Sequence, residues 1–516
     1  METGKKINHL ALWPALALLA VLIGFGVFKT EALGSLLTTI LYGMANSFGW
    51  FFCLFTIIAI ILTFVLAFSK IGSIKIGGPD ATPDYKTWNW ITMSLCGGIG
   101  TGLLFWAMGE PMYHFMTPPV AAGVEGGSRA GTREAAIFAI SQTMWQWSIP
   151  QYCLYTICAV AFALTAYNAK KPLAFGPVLD SAIGKKSKGL ETFVHALSIF
   201  TMCGAVACSM GVGLMQIGAG LANLFGLNPS PVVWLVIAAI ITAVFTLSCV
   251  SGIGSGLKKM SSFTTIAFIC ILIYVVLFGP SGFCAKLGVE SVAALLDHPL
   301  ERTAILNTMA ETDSWAADWE IQYWASFIVY APIIGMFLSR MAKGRTLRQF
   351  ILVNVLAPSI FCIVWIAVFG GVAINMQVSG TFDIWNAVSA NGMEATIFYI
   401  LGSFPLGKVL IVVFLIAICT SFSTLADPMA AACATMSVHN LSVNDEAPKP
   451  IKILIGVIMG TIAFLLVASG GIGSVKGMWV IIGFPIAFVQ VVVIISAFRN
   501  GAKAVKSETF ALPEEK

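Results

Sequence analysis

Apolar runs long enough to cross a bilayer recur from one end of this chain to the other. A helix spans the ~30 Å hydrocarbon core with about 20 residues, and in lipid each backbone polar group must be satisfied within the protein. Twelve such runs can be placed, at 10–28, 48–69, 89–115, 135–167, 191–225, 232–250, 263–283, 319–341, 350–374, 397–436, 451–470 and 476–498. Several exceed the minimum length, which predicts tilted or broken spans. Of the 516 residues, 58% are hydrophobic and 10% are charged, against about 25% charged in a soluble domain. The apolar-out, polar-in alternation of a membrane barrel is absent. The expected fold is therefore an all-α membrane protein with about twelve transmembrane helices.

The basic residues set the orientation. With the N-terminus assigned to the cytoplasm and the spans alternating, 22 of the 29 lysines and arginines fall in cytoplasmic segments and 7 fall outside. Both termini are thus expected in the cytoplasm, and the chain reads as a multi-pass protein of a bacterial-type cytoplasmic (inner) membrane. The net charge of +5 is scattered over short loops and gives no nucleic-acid surface. The twelve cysteines lie almost entirely inside apolar runs, with no CxxC pair. They read as buried small hydrophobes, not as zinc ligands or a disulfide framework. Lys5 and Lys6 precede a run that continues to Phe28 without a small-residue cleavage site, so that run is expected to be kept as a first span. The largest external insert, 284–318, reads as one or two short interfacial helices, and 251–262 as a cytoplasmic elbow.

Residues 94–119, SLCGGIGTGLLFWAMGEPMYHFMTPP, place Gly97, Gly98, Gly100 and Gly102 within six positions of an apolar run. Glycine costs roughly 1 kcal/mol against alanine in a helix interior. In a membrane it serves either close helix packing or an unwound segment whose carbonyls line a site. A phosphate-binding loop is disfavoured, because no strand precedes the glycines and no P-loop lysine follows. Glu110, followed by Pro111 and Tyr113, marks either a functional site or the outer water interface. A second interrupted span is expected at 319–335, WEIQYWASFIVYAPIIG, with the break at Ala331-Pro332. Broken helices in matching places of two halves point to a midplane site in a repeat transporter.

Two further spans carry chemistry. In TMWQWSIPQYCLY (143–155), Tyr152 and Tyr155 share a helix face, Trp147 lies under half a turn away, and Pro150 frees a carbonyl. Such mid-span aromatics either pack as core or cage a cation, since indole and phenol faces attract a quaternary ammonium by ~0.5–2 kcal/mol per contact. In CTSFSTLAD (419–427), the hydroxyls of Thr420, Ser421, Ser423 and Thr424 either bond back to the preceding turn or join bare carbonyls around Na⁺. A membrane enzyme is disfavoured: His9, His114, His195, His298 and His439 are scattered, and no acid dyad or nucleophile set is apparent.

Across about residues 10–498 the sequence resembles the betaine/carnitine/choline transporter family. The matching segments are GIGTGLLFWAMGEPMYHFMTPP (98–119), WSIPQYCLY (147–155), GVGLMQIGAGLANLFG (211–226), SGIGSGLKKMSS (251–262), YWASFIVYAPIIGMFLSRMAKGRT (323–346) and TSFSTL (420–425). The resemblance implies a LeuT-like fold with two inverted five-helix repeats, and often a homotrimer. Residues 1–88 would form the N-terminus and two leading helices, 89–283 the first repeat, 284–318 the external loop, 319–498 the second repeat, and 499–516 a short cytoplasmic tail. It implies a secondary transporter, not an enzyme, importing a small quaternary-ammonium or betaine-like zwitterion by alternating access. No prosthetic group is implied.

By that resemblance the aromatic cage falls on Trp147, Tyr152 and Tyr155, with Tyr152 where the family usually has tryptophan. Tyr113 matches a tyrosine that faces substrate in carnitine members. Gly98 and Gly100 belong to the glycine helix beside the substrate. The signature Tyr-Trp-Ala-Trp-Trp reads Tyr323-Trp324-Ala325-Ser326-Phe327 here. Trp324 is expected to support the site or line the path, while Ser326 and Phe327 replace both cage tryptophans, shrinking the cage and adding a hydroxyl. The sodium positions of the family match Cys96, Ile99, Ala417, Thr420 and Ser421. Where sodium-independent exchangers carry Arg or Met, this chain has Thr264 and Ile334. Na⁺ is therefore the expected coupling ion, with a sodium-independent antiporter of the carnitine/butyrobetaine type as the alternative.

Overall fold

The computed structural model describes residues 7–99, 102–119, 129–251, 254–308, 313–438 and 447–506. Its elements are helices, and among the described residues β-structure is limited to two isolated bridges, Ile7–Val438 and Lys75–Thr346. In chain order the helices are α1 (His9–Phe28), α2 (Thr30–Phe68), α3 (Thr87–Ile99), α4 (Gly102–Met116), α5 (Arg133–Gln146), α6 (Ile149–Ala163), α7 (Phe175–Ile183), α8 (Lys188–Phe225) and α9 (Pro231–Ser251). They continue with α10 (Gly254–Phe278), α11 (Ser281–Asp297), α12 (Gln322–Ser339), α13 (Leu347–Ser379), α14 (Ile384–Asn391), α15 (Thr396–Gly402), α16 (Gly407–Met436), α17 (Lys449–Gly470) and α18 (Ile472–Lys506).

Among the described residues, ten helical stretches are long and apolar enough to cross a membrane. An eleventh is Ser262–Phe278, which bends by 110° into Ser281–Asp297. The span expected at 89–115 is carried by α3 and α4, of 13 and 15 residues, each too short to cross alone. Helix ends follow local chemistry. Thr346 forms a capping box with Gln349 at the start of α13, which satisfies orphan donors at both positions. Gly226 ends α8, and Gly380 ends α13, in the left-handed conformation that glycine adopts without a Cβ penalty.

The helices sort by burial. α4, α6 and α12 are buried on nearly every face, so they are interior elements. α9 and α10 expose Leu235, Ile240, Ile266 and Leu277, the apolar rim expected against lipid. α6 and α12 pack against each other at the centre. Gly335 permits that crossing: a Cβ there would lie 2.7 Å from the Cβ of Cys158 and 2.8 Å from the Ala159 nitrogen. Small residues at such contacts let backbones approach.

Several boundaries differ from the sequence expectations. The second span begins at Thr30, not 48, because weakly apolar residues such as Ser35, Thr38 and Asn46 remain helical; 39 residues at 1.5 Å each give about 58 Å, longer than the bilayer core. The break expected at Ala331-Pro332 is absent, since α12 runs through Pro332. A proline removes one donor, which a packed membrane helix can absorb. The irregular turn lies earlier, as a π-helix at Ala316–Ile321. The run 397–436 is two helices, α15 and α16, divided at 403–406, where Leu406 adopts φ +56. The elbow expected at 251–262 is mostly helix, because α10 starts at Gly254.

Candidate functional site

The fourth span is broken where the sequence reading had it continuous. α5 ends at Gln146, Trp147 caps it, and Ser148 takes φ −126 and ψ −120 before α6 begins at Ile149. Pro150 sits in the first turn of α6, where its missing N–H costs nothing. The break turns Trp147 out of the helix register of Tyr152 and Tyr155, so these three side chains come from two elements.

Trp147 is buried against α12. Its ring centroid lies 5.4 Å from Tyr323 and 5.5 Å from Phe327, edge-on to both. Phe327 also meets Tyr155 at 6.4 Å and stacks on Tyr323 at 5.7 Å. Trp147, Tyr155 and Phe327 are thus brought together across the α5–α6 break and α12. Gly102 makes room for this, because a Cβ there would lie 2.7 Å from Cη2 of Trp147.

The remaining expected residues take other places. Tyr152 meets Tyr155 edge-on at 6.1 Å, and its hydroxyl contacts Cys362 Sγ at 3.3 Å, so it backs Tyr155. Trp324 meets Phe327 at 6.1 Å, but its indole N–H donates to the Thr303 carbonyl and to Glu320 Oε1, each at 3.1 Å. Ser326 donates to the Tyr323 carbonyl at 2.8 Å, so its hydroxyl is engaged within its own helix. Tyr113 packs with Trp319 at 5.5 Å and Trp385 at 5.2 Å, in a second aromatic group that reaches Tyr323 through Trp106. Gly100 lies outside the described residues. Cys96, Gly98 and Ile99 lie in α3, and their side chains are outside the description.

At the expected sodium positions, the Thr420 hydroxyl bonds back to the Ile416 and Ala417 carbonyls at 3.0 and 3.1 Å. It also meets the Thr264 hydroxyl at 2.7 Å. Ser421 is buried, and its carbonyl accepts from Thr424. These hydroxyls thus bond back to the preceding turn of α16, and one hydroxyl of α10 joins them.

Two buried carboxylates border the aromatic group. Glu110, which the sequence left between a functional role and a water interface, is fully buried. Its Oε2 accepts from Trp147 Nε1 at 2.9 Å and from the Tyr323 hydroxyl at 2.5 Å. Its Oε1 meets His114 Nε2 at 3.3 Å. Glu320, also fully buried, accepts from Gln142, Gln146 and Trp324. Sequence reasoning passed over Glu320, although an acid two residues into an apolar run is a signal of its own. It also passed over Tyr323 as a ring of the group. Above Glu320, the loop residue Arg302 reaches Gln142 Oε1 at 3.5 Å. Burial pushes the Arg302 guanidinium down to about 10, against the opposing pull of Glu301 and Glu320.

The arrangement packs buried aromatic rings edge-on around Trp147 and Phe327; among the described residues no group of three His, Cys, Asp or Glu side chains converges. The family model for betaine/carnitine/choline family transporters matches residues 10–506. A probable glycine betaine transporter of Desulfitobacterium hafniense is 29% identical, covering 97% of this chain and 98% of its own length. The glycine betaine transporter OpuD of Bacillus subtilis is 27% identical, over 95% and 94%. An ectoine/hydroxyectoine transporter of Virgibacillus pantothenticus is 27% identical, over 97% and 98%.

Proposed function

This chain belongs to the betaine/carnitine/choline transporter family, and from that premise we propose that it imports a small quaternary-ammonium or betaine-like zwitterion, driven by sodium. A transporter of this family is a multi-pass membrane protein and not an enzyme. The carrying observation is the convergence of Trp147, Tyr155 and Phe327 from two interior segments. An ammonium without protons cannot donate a hydrogen bond, so aromatic faces suit it better than lone carboxylates, at ~0.5–2 kcal/mol per desolvated contact. Tyr152 and Trp324 hold this group from behind.

Sodium is the co-transported cation in this reading. Thr420, Ser421 and the Ala417 carbonyl supply oxygens from α16, with backbone oxygens of Cys96 and Ile99 from α3 completing the set. Thr264 favours this over exchange, because its side chain brings a hydroxyl and no fixed charge beside Thr420. Ligand and ion both favour a closed state, and the two inverted repeats, 89–283 and 319–498, rock around them. The N- and C-termini lie in the cytoplasm, and the protein assembles as a homotrimer in the inner membrane.

Equilibrium binding tests the cage. Titration of purified protein with glycine betaine, choline and carnitine, followed by tryptophan fluorescence, should give a saturable change for at least one solute. The change should be weakened at least tenfold by Trp147→Ala. Equal affinity in the variant would overturn the cage assignment.

A further inference from the structure

A buried carboxyl group, that of Glu110, stands behind the aromatic group. His114 Nδ1 accepts from the Trp315 indole at 3.1 Å. An indole N–H is a donor only, so Nδ1 carries no proton. The proton of His114 is therefore on Nε2, and it points to Glu110 Oε1. Glu110 then faces three donors: the Trp147 indole, the Tyr323 hydroxyl and His114 Nε2. Glu110 accepts on every contact, as a carboxylate does.

No lysine or arginine among the described residues pairs with the Glu110 carboxyl. Two cations that reach the same interior are matched elsewhere. Lys476 Nζ lies 3.2 Å from Asp318 and over the Trp319 ring at 4.6 Å. Arg302 lies on the Glu320 side, at Gln142 and the Ala294 carbonyl. A buried charge left without a partner is costly, and in a low dielectric it acts strongly on what lies nearby.

We propose that Glu110 is a specificity-determining residue: its charge, held on the edge of the Trp147 ring, makes the cage select ligands by full positive charge and not by trimethyl shape. The inference rests on the cage reading above and adds an anion to it. The carboxylate does not touch the ligand. It acts through Trp147, whose N–H it holds, and through Tyr323, so it is a positioning and field-setting residue. Polarising the indole N–H toward an anion enriches the ring face that a cation meets.

The test compares choline with 3,3-dimethylbutan-1-ol, its uncharged carbon isostere, as ligands of reconstituted full-length protein. The readout is the ratio of their inhibition constants against whichever labelled solute the wild type transports. Glu110→Gln keeps the side-chain length and removes the charge. The ratio should fall at least tenfold, mainly through weaker choline binding, with the isostere changed less than threefold. A purely scaffolding glutamate would weaken both ligands together and leave the ratio unchanged, which would overturn the proposal.

If the Gln variant does not fold, Glu110→Asp carries the test. With the charge retained, both ligands weaken but the ratio should stay within threefold of wild type; a collapsed ratio would contradict the role of charge. A wild type that binds neither choline nor glycine betaine defeats the cage reading itself. A wild type that binds choline alongside an unchanged ratio in Glu110→Gln defeats only this inference.

Discussion

Lys476 and Asp318 form an ion pair at 3.2 Å, with side chains 8% and 25% exposed. The pair joins α18 to the π turn that precedes α12. The Lys476 ammonium also lies 4.6 Å from the Trp319 centroid and 5.8 Å from that of Trp106. Asp318 has other support, from Ser314 at 2.9 Å and from Tyr42.

This asymmetry predicts unequal costs for breaking the pair. Asp318→Asn leaves a buried ammonium against two indoles, and is expected to destabilise by about 2–3 kcal/mol, below the 3–5 of a fully buried pair. Lys476→Met leaves an aspartate that still has donors and some water, and should cost about 1 kcal/mol. Thermal inactivation of the two variants in detergent checks the order. A larger loss for Lys476→Met would show that the ammonium is not the strained partner.

Gly102 sets where Trp147 can lie. Gly102→Ala would put a methyl 2.7 Å from Cη2 of the ring, so the indole must shift or tilt. Uptake affinity is expected to fall about tenfold, in the range of one lost cation–π contact, with membrane expression retained. Unaltered uptake kinetics would mean that Trp147 has room to spare and does not need its observed pose.

Ser326 stands where the family usually has tryptophan, yet its hydroxyl is spent on the Tyr323 carbonyl. Ser326→Ala is therefore expected to change the apparent KM for the transported solute less than threefold. Phe327→Leu removes an aromatic face that meets Trp147 and Tyr155, and should raise KM by about 3- to 30-fold, equivalent to ~0.5–2 kcal/mol. Transport kinetics of the two side by side test the contrast. A large effect of Ser326→Ala with a small effect of Phe327→Leu would move recognition from ring faces to hydroxyl contacts.

Thr420 tests the ion site. Thr420→Ala removes a hydroxyl that meets Thr264 at 2.7 Å, while α16 keeps its backbone bonds. The sodium concentration for half-maximal uptake is expected to rise at least fivefold, with solute affinity at saturating sodium changed less. An unchanged sodium dependence would place the ion elsewhere.

Much of the fold was legible because the bilayer leaves so few options. Runs of about 20 apolar residues predict helices, and most fall within a few residues of the observed ones, as with 10–28 against His9–Phe28 and 232–250 against Pro231–Val250. What hydropathy does not report is where a span bends. Pro332 was the more visible breaker but stays inside α12, whereas the turn at Trp147–Ser148 depends on backbone angles at Ser148. Pro150 was its only sequence sign.

The aromatic residues were legible as types in a pattern, but their company was not. The rings of Trp147 and Tyr155 both adjoin Phe327. Tyr113 was expected among them and instead packs on Trp319 and Trp385, since a half-turn of rotation on a buried helix decides which group a ring joins. Glu110 stood out as an acid in an apolar run, and Glu320 was passed over. Only the structure gives their donors, because Gln142, Gln146, Trp147 and Tyr323 reach them from elements far apart in sequence.

The most direct measurement is uptake of labelled glycine betaine, choline and carnitine into proteoliposomes, each with an inward sodium gradient and with sodium replaced by potassium. The account predicts concentrative, saturable accumulation of at least one solute that requires sodium and is lost in Trp147→Ala. Equal uptake in potassium would contradict sodium coupling. Uptake that persists at wild-type affinity without Trp147 would contradict the aromatic cage on which the account turns.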